Sequence, residues 1–267
     1  MEVHHPHHPT HKKQWKEYIT EFVMLFLAVS LGFLAENIRE QYIEKERAHE
    51  LLESFLHDVS ENVILLDSLI SNDSKMIIKN DSSILYLMEN NQVDLDSFFK
   101  FLPVSSYRYI SNNETYDQMK SSGSLRYIKD TTLLRKIIAY NNASKAAEFR
   151  SITQEFEYTA HEYTEAIQKW MPGEIAAKRH AAPFITRPLF KRLLKDKNDS
   201  VLMNRLNKAG EGKKFTVKGS QYEQMRKELI PVISRKTFLM SASATYMYTT
   251  YDLAKELLAF YHQDNKK

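Results

Sequence analysis

The sequence predicts an all-α protein in which one N-terminal transmembrane helix continues into an irregular helical bundle domain. Three observations support this fold class. The 267 residues include only 6 glycines and 7 prolines, so few residues interrupt a helix. The stretch from Phe22 to Ala35 carries no charge, and apolar residues recur at steps of three and four between Leu52 and Ile70.

Residues 1–14 are predicted to form a His/Pro-rich tail outside the folded domain. Imidazole groups bind zinc, copper or nickel, but histidine tails also bind such ions weakly without a biological role. We therefore predict no functional metal site and no cofactor.

Residues 15–38 are predicted to form a transmembrane anchor. A hydrocarbon core of about 30 Å takes about 20 helical residues, and the apolar run approaches this length once it is extended back to Tyr18. Trp15 and Tyr18 then lie at the interface, and Glu21 is close enough to one end to reach the headgroups. A cleaved secretory signal and a soluble core helix are the alternatives, but Phe33 stands where a cleavage site after Ala35 prefers a small residue.

One face of the anchor is predicted to pack against a second helix. Ala28, Gly32 and Ala35 share this face, which allows close approach of a second helix in lipid, although small residues are common in spans by chance.

The orientation of the anchor in the membrane is predicted from the residues on its two sides. The basic residues on the two sides of the span are equal in number, so they do not decide the orientation. The first 17 residues have the character of a signal n-region, which favours a cytoplasmic N-terminus.

The remaining residues, 39–267, are predicted to form one helical domain. The helix of the anchor is predicted to continue to about Ile70, because Asn72 and Asp73 are typical of a turn followed by a helix cap. Further helices are predicted at about Met76 to Asn90, Asp94 to Leu102, Glu114 to Ser121, Thr131 to Tyr140 and onward to Ile167, and Gln221 to His262 with a break at Pro231.

The long central helix is predicted to bury an apolar face with helical spacing. The members of this face are Ala146, Phe149, Ile152, Phe156, Ala160, Tyr163 and Ile167. Residues 173–220 hold most of the glycines and prolines of the domain, which predicts an irregular basic insert with a short strand from Phe215 to Lys218.

The charges of the domain are unevenly distributed. Between Glu36 and Asp67 there are nine acidic and three basic residues, and between Lys178 and Lys218 there are twelve basic and three acidic residues. The basic segment is predicted to be a solvated face, partly neutralised by the acidic helix. An anionic-lipid-contacting module is the alternative. No nucleic-acid motif accompanies the basic residues, so no nucleic-acid partner is expected.

No motif in the chain predicts catalysis. The chain contains no cysteine, which excludes disulfides, cysteine-bound metals and thiol nucleophiles. Glu46 with His49, and Glu53 with His57, place carboxylates and imidazoles on one helix, but a di-metal bundle centre needs a second such motif and two further glutamates. We predict a protein that is not an enzyme. The alternative is an envelope metal-binding protein or enzyme that uses these helices.

Two segments of the chain resemble a known family. The sequences EFVMLFLAVSLGFLAENIRE (Glu21 to Glu40) and TYDQMKSSGSLRYIKDTTLLRKIIAYN (Thr115 to Asn141) are similar to recurring stretches of an uncharacterised bacterial family. Its members are small single-span membrane-anchored proteins with a domain of unknown function. The resemblance implies an inner-membrane anchor and a helical outer domain, and it implies no activity, cofactor or catalytic residue.

The second of these segments contains a glycine turn. Gly123 supplies a positive φ between two helices, and Asp130 is placed to cap the next helix. A packed structural turn is predicted. The alternative is a binding turn made of Tyr116, Ser121, Ser122, Gly123 and Arg126.

Together these features predict a membrane-anchored, non-enzymatic binding or scaffold protein of the cell envelope. We expect it in the bacterial inner membrane as a single-pass protein, with a cytoplasmic N-terminus and a periplasmic main domain. Its expected partners are the lipid bilayer and either a second copy of the chain or another envelope protein.

Overall fold

The prediction of an all-α fold is confirmed by a computed structural model, which describes residues 14–103, 106–177, 205, 208 and 213–264. The His/Pro-rich tail and most of the basic insert therefore lie outside the described residues. The elements are α1 (Trp15–Glu89), β1 (Gln92–Asp94), α2 (Leu95–Phe101), α3 (Glu114–Ser121), a 3-10 turn (Ser124–Tyr127), α4 (Thr131–Phe149), two π-helical segments (Arg150–Phe156 and Thr159–Tyr163), α5 (Thr164–Trp170), β2 (Thr216–Lys218) and α6 (Ser220–Asp264).

Helix α1 is a single rod of 75 residues, which corresponds to about 110 Å at 1.5 Å per residue. Its first buried residue is Ala48, so the segment that includes the apolar run projects from the domain. The predicted turn at Asn72 and Asp73 is wrong, because the helix continues through both residues. Asp73 is buried in the bundle, and tertiary packing overrides its local preference for a cap.

Three helical rods make up the bundle. The first is α1 from Ala48 onward, the second is α4 with its π-helical continuation and α5, and the third is α6. We call the end at Ala48 the near end and the end at Glu89 the far end. Helix α6 runs antiparallel to α1, because the Tyr222 hydroxyl donates to the Leu87 carbonyl at the far end and the Tyr261 hydroxyl donates to Glu53 at the near end.

Helix α6 continues through Pro231, so the predicted break is wrong. A proline removes one backbone donor and leaves the carbonyl four residues earlier without its usual partner. Here that carbonyl belongs to Lys227, and both Lys227 and Pro231 are exposed. Water can therefore satisfy the carbonyl, and packing of the surrounding turns keeps the helix intact.

The far end is closed by a two-stranded antiparallel ribbon in which Val93 pairs with Val217. The predicted strand near Phe215 is therefore present, and its partner β1 was too short to be predicted from the sequence. Helix α2 follows β1 directly, and its N-cap Asp94 accepts a hydrogen bond from the Ser97 backbone. The ribbon and α2 pack their apolar residues on the far ends of all three rods.

The apolar core is divided into three clusters along the bundle. The near cluster surrounds Phe55, the middle cluster surrounds Leu66 and Met247, and the far cluster surrounds Leu87 and Tyr222. The middle and far clusters do not merge, and many of the buried residues between them are polar.

Candidate functional site

The interior of the bundle is polar between the middle and far apolar clusters. Between Leu69 and Leu87, which are about five turns of α1 apart, the buried residues of this helix are Asp73, Asn80 and Ser83. A helix that packs in a soluble bundle usually buries apolar residues at these positions. The polar stretch is therefore a specific feature of this chain.

The second rod contributes its own polar residues to this region through an inward face with a period of four. The buried residues of this face are Ala147, Ser151, Glu155, Thr159, Tyr163, Ile167 and Met171. In a regular α-helix four residues turn through about 400°, so such a stripe would rotate by about 40° at each step. The wider turns of the two π-helical segments reduce this drift and keep Glu155 and Thr159 inside the bundle.

The apolar face predicted for this rod is consequently wrong over most of its length. Phe149 is 55% exposed, Ala160 is exposed, and Ile152 and Phe156 are only partly buried. Phe156 packs beneath the Arg108 guanidinium, which lies 4.6 Å from the ring centroid. The rod turns polar residues inward here, whereas the prediction assumed that apolar residues are buried.

Helix α6 completes the region with Lys236 and Ser243, which lie seven residues apart on its buried face with Met240 between them. The side-chain amide of Asn80 contacts the Met240 sulfur at 3.7 Å, which places these parts of α1 and α6 side by side. We use the term polar layer for Asp73, Asn80, Glu155, Thr159, Lys236 and Ser243.

Some groups of the polar layer have clear partners. Ser106 donates a hydrogen bond to Glu155 Oε1. Lys236 Nζ donates to the Pro103 carbonyl at 3.2 Å and lies 4.1 Å from the centroid of the Tyr163 ring, so a carbonyl dipole and an aromatic face both stabilise its charge. The segment around Pro103 therefore closes one side of the layer.

Other polar atoms of the layer are buried without a hydrogen-bond partner in the protein. Such atoms are rare in folded proteins, because each one costs free energy unless a water molecule or an ion satisfies it. They are both carboxylate oxygens of Asp73, Oδ1 of Asn80, Oε2 of Glu155, Oγ1 of Thr159 and Oγ of Ser243.

Both carboxyl groups of the layer have raised pKa values. Burial, together with the charge of Glu155, raises the pKa of Asp73 to about 8 against the opposing charge of Lys236. Burial also raises the pKa of Glu155, against the opposing effects of the Ser106 hydrogen bond, the nearby Ser243 hydroxyl and Lys236. Ser243 lies close enough to have this effect without forming a hydrogen bond of ordinary geometry. The protonated form of Asp73 is thus favoured in the folded chain at neutral pH.

An extended segment, residues 106–113, runs along the bundle from the polar layer towards the near end. Side chains from the helices satisfy its backbone groups. Asn62 donates to the Asn112 carbonyl and accepts from the Asn112 amide, at 3.0 and 2.9 Å, and Ser151 accepts from the Tyr109 amide at 2.8 Å. These buried polar residues therefore take the place of a strand that would otherwise pair with the segment.

Replacing Asn62 with alanine is expected to destabilise the domain by about 2–4 kcal/mol, because it leaves the part-buried amide and carbonyl of Asn112 without these partners. Urea denaturation followed by circular dichroism measures the effect. Glu50→Ala is a suitable control, since Glu50 is an exposed residue of the same helix. A loss no larger than that of the control would show that residues 106–113 are not held by this side chain.

The structure brings together only part of the predicted binding turn. Tyr116 is buried, with its ring centroid 5.9 Å from that of Phe55, so it belongs to the core. Gly123 has a φ of +74°, as a glycine turn requires. The exposed Ser121 bonds only within its own helix. Ser122 and Arg126 line an open groove of about 460 Å³ together with Tyr127 and, on α1, Asn37, Glu40, Gln41 and Glu44.

The predicted helix-packing face is open in the single chain. Ala28, Gly32 and Ala35 are exposed, and a Cβ built at Gly32 would have no atom within 4 Å. A second helix therefore has room to approach, and the packing role stays a prediction.

Beside the predicted histidine and glutamate pairs of α1, one cluster of possible metal ligands makes structural contacts. His57, Asp58 and Glu61 form a group whose ligand atoms lie within 4.8 Å of one another. Asp58 already accepts hydrogen bonds from Asn112 and Thr115, and His57 and Glu61 are exposed. This arrangement fastens the extended segment and α3 to α1, so it does not favour a metal centre.

The basic segment is described at only a few positions. Lys213 pairs with Glu174 at 2.5 Å, and Lys218 lies at the end of β2. Most other bases between Lys178 and Lys218 lie outside the described residues, so the predicted lipid contact stays a prediction.

No family model, curated protein or solved structure matches this chain. The resemblance of Glu21 to Glu40 and of Thr115 to Asn141 to a single-span bacterial family therefore stays a prediction.

Proposed function

We propose that the chain is a single-pass protein of the bacterial inner membrane whose helical domain serves as a non-enzymatic binding or scaffold module in the envelope. The observation that carries this proposal is the continuity of α1. One helix contains both the apolar stretch and the first rod of the bundle, and no residue of the 18-residue apolar window is buried in the protein.

The exposed apolar stretch needs a nonpolar environment. Its nine Phe, Leu and Val residues from Phe22 to Leu34 contribute roughly −3 to −5 kcal/mol to bilayer insertion, and a glutamate at the centre of a span costs roughly +3 kcal/mol. Glu21 precedes the run, so its cost is smaller. These energies support insertion of residues 15–38 as the anchor.

A continuous helix gives the domain a fixed position relative to the bilayer. Only about 12 residues, 36–47, separate the apolar run from the first buried residue, which corresponds to about 18 Å of helix. The groove that contains Arg126 lies beside this same stretch of α1. The domain is therefore held close to the lipid surface, where a partner in the same membrane or just outside it can reach its near end.

We assign the domain no catalytic role, because the two carboxyl groups with raised pKa values, Asp73 and Glu155, are buried inside the bundle. The basic character of the first 17 residues supports a cytoplasmic N-terminus and a periplasmic domain, as the sequence predicts.

Fractionation tests the membrane assignment. We expect the full-length chain to sediment with membranes, to resist extraction at high salt and alkaline pH, and to enter the supernatant only with detergent. Leu27→Arg places a charge in the middle of the span and is expected to weaken this association, whereas Ile64→Arg, at an exposed position of the bundle, leaves it unchanged. Recovery of the uncut chain in the aqueous supernatant without detergent would refute the proposal.

A further inference from the structure

Among the unpartnered atoms of the polar layer, acceptors outnumber hydroxyl donors when Asp73 is ionised. Four of these atoms then accept only, namely the two oxygens of Asp73, Oδ1 of Asn80 and Oε2 of Glu155. The two unpartnered hydroxyls, on Thr159 and Ser243, can each donate one hydrogen bond. Even if both did so, two buried acceptors would still lack a donor. Above the pKa of Asp73, a cation or water molecules bound in the layer would satisfy these acceptors.

The acceptors are concentrated at one level of the bundle. Glu155 lies close enough to Asp73 for its charge to act on Asp73, and Ser243 lies beside Glu155. Asn80 is seven residues further along α1, or about 10 Å, so it belongs to the next level towards the far end. The level of Asp73 thus has three oxygen-bearing side chains, one from each rod, namely Asp73, Glu155 and Ser243.

Above the pKa of Asp73, the charges at this level do not balance. Asp73 and Glu155 carry two negative charges when ionised, and Lys236 supplies one positive charge that acts on both of them. One further positive charge makes the buried layer neutral, and burial of uncompensated charge is unfavourable. A divalent ion would instead leave the layer with a net charge of +1.

The available ligands are carboxylate and hydroxyl oxygens, which suit hard cations, and no histidine is among the buried residues of the described part of the chain. We propose that the polar layer binds one monovalent metal cation, Na⁺ or K⁺, through side-chain oxygens of Asp73, Glu155 and Ser243. Water molecules occupy the neighbouring level at Asn80 and Thr159.

Thermal unfolding of the full-length chain in detergent tests this site. The melting temperature is measured at pH 9 in NaCl, KCl or N-methylglucamine chloride at one ionic strength. This pH is above the pKa of Asp73, so most of the Asp73 carboxyl groups are deprotonated and can bind the cation. We expect NaCl or KCl to raise the melting temperature by roughly 3 to 8 °C relative to N-methylglucamine, as ligand linkage predicts for a site that is largely saturated.

Three variants decide whether the response comes from this site. Each is compared with its own melting temperature in N-methylglucamine, so a change in basal stability does not affect the result. Asp73→Asn is expected to abolish the cation response and Ser243→Ala to reduce it. Asp67→Asn, an exposed control on the same helix, is expected to retain it.

Several outcomes would overturn the proposal. These are equal melting temperatures in all three salts, a response that survives in Asp73→Asn, and a response to Mg²⁺ or Ca²⁺ but to neither monovalent ion. A melting temperature that depends on pH alone would also overturn it, because a proton would then be the only occupant. Every one of these results leaves the membrane assignment intact, since the fractionation experiment is independent of the cation.

Discussion

Replacing Asp73 with asparagine is expected to stabilise the folded chain at pH 8 and to leave its stability nearly unchanged at pH 4. The pKa of Asp73 is about 8 in the folded chain, whereas an aspartate in an unfolded chain has a pKa of about 3.9. Between these values the folded chain holds a proton that the unfolded chain has released. This contribution to stability is therefore present below pH 4 and is lost as the pH rises to 8.

Asparagine has no ionisable proton, so the free energy of unfolding of the variant does not fall through deprotonation at this position. The expected advantage of the variant grows by up to about 1.4 kcal/mol per pH unit, reaches several kcal/mol near pH 8 and then levels off. Glu155 and Lys236 face Asp73 in both proteins, so their own titration largely cancels in the comparison.

Urea denaturation at pH values from 4 to 9, in N-methylglucamine buffers without Na⁺ or K⁺, measures the free energy of unfolding of both proteins. Asp67→Asn is again the control and is expected to follow the parent chain, because Asp67 is exposed. Parallel stability curves for Asp73→Asn and the parent chain would show that Asp73 is ionised, or reaches water, in the folded state.

Replacing Phe55 with alanine is expected to destabilise the domain by about 3–5 kcal/mol, the usual cost of emptying a large buried aromatic site. Phe55 is 1% exposed, and its ring lies 5.9 Å from that of Tyr116 and 6.1 Å from that of Tyr140, measured between centroids. It therefore joins α1 to α3 and α4 at the near end, where the domain meets the projecting apolar part of α1.

Phe238→Ala is the matched control, because Phe238 lies on α6 with 69% of its surface exposed, so its ring contributes little to the core. Its expected effect is within about 0.5 kcal/mol. Urea denaturation at one pH compares the two variants. A Phe55 variant as stable as the Phe238 variant would contradict the near-end packing.

Local signals in the sequence predicted the short elements well. The limits of α3, Glu114 and Ser121, agree with the prediction, and Asp130 caps α4 by accepting from the Thr132 and Leu133 amides. A cap or a turn depends on a few neighbouring residues, so these features can be predicted without knowledge of the tertiary structure.

The polar layer could not be predicted in this way, because pattern analysis assumes that buried helix faces are apolar. Under that assumption Asp73 indicated a turn, and Phe149 and Ala160 indicated the inner face of the second rod. The structure places Asp73 and Glu155 inside instead. A weak signal was present in the spacing, since polar residues recur every four positions from Ser151 to Thr159.

The predicted binding turn shows the same limit of local reasoning. Its glycine conformation followed from the sequence, but the division between the buried Tyr116 and the groove-lining Ser122 and Arg126 depends on the position of α1. That position results from packing between residues far apart in the chain.

Cysteine accessibility in native membranes tests the central claim, which is that α1 passes from lipid into the folded domain. The chain contains no cysteine, so Leu27→Cys and Lys45→Cys each introduce a single reactive site. Leu27 is 49% exposed in the isolated chain, so protein packing alone cannot protect it. With a water-soluble maleimide and opened membranes, we predict rapid labelling at position 45 and labelling at position 27 only after detergent is added. Equal labelling rates at the two positions before detergent would contradict the account.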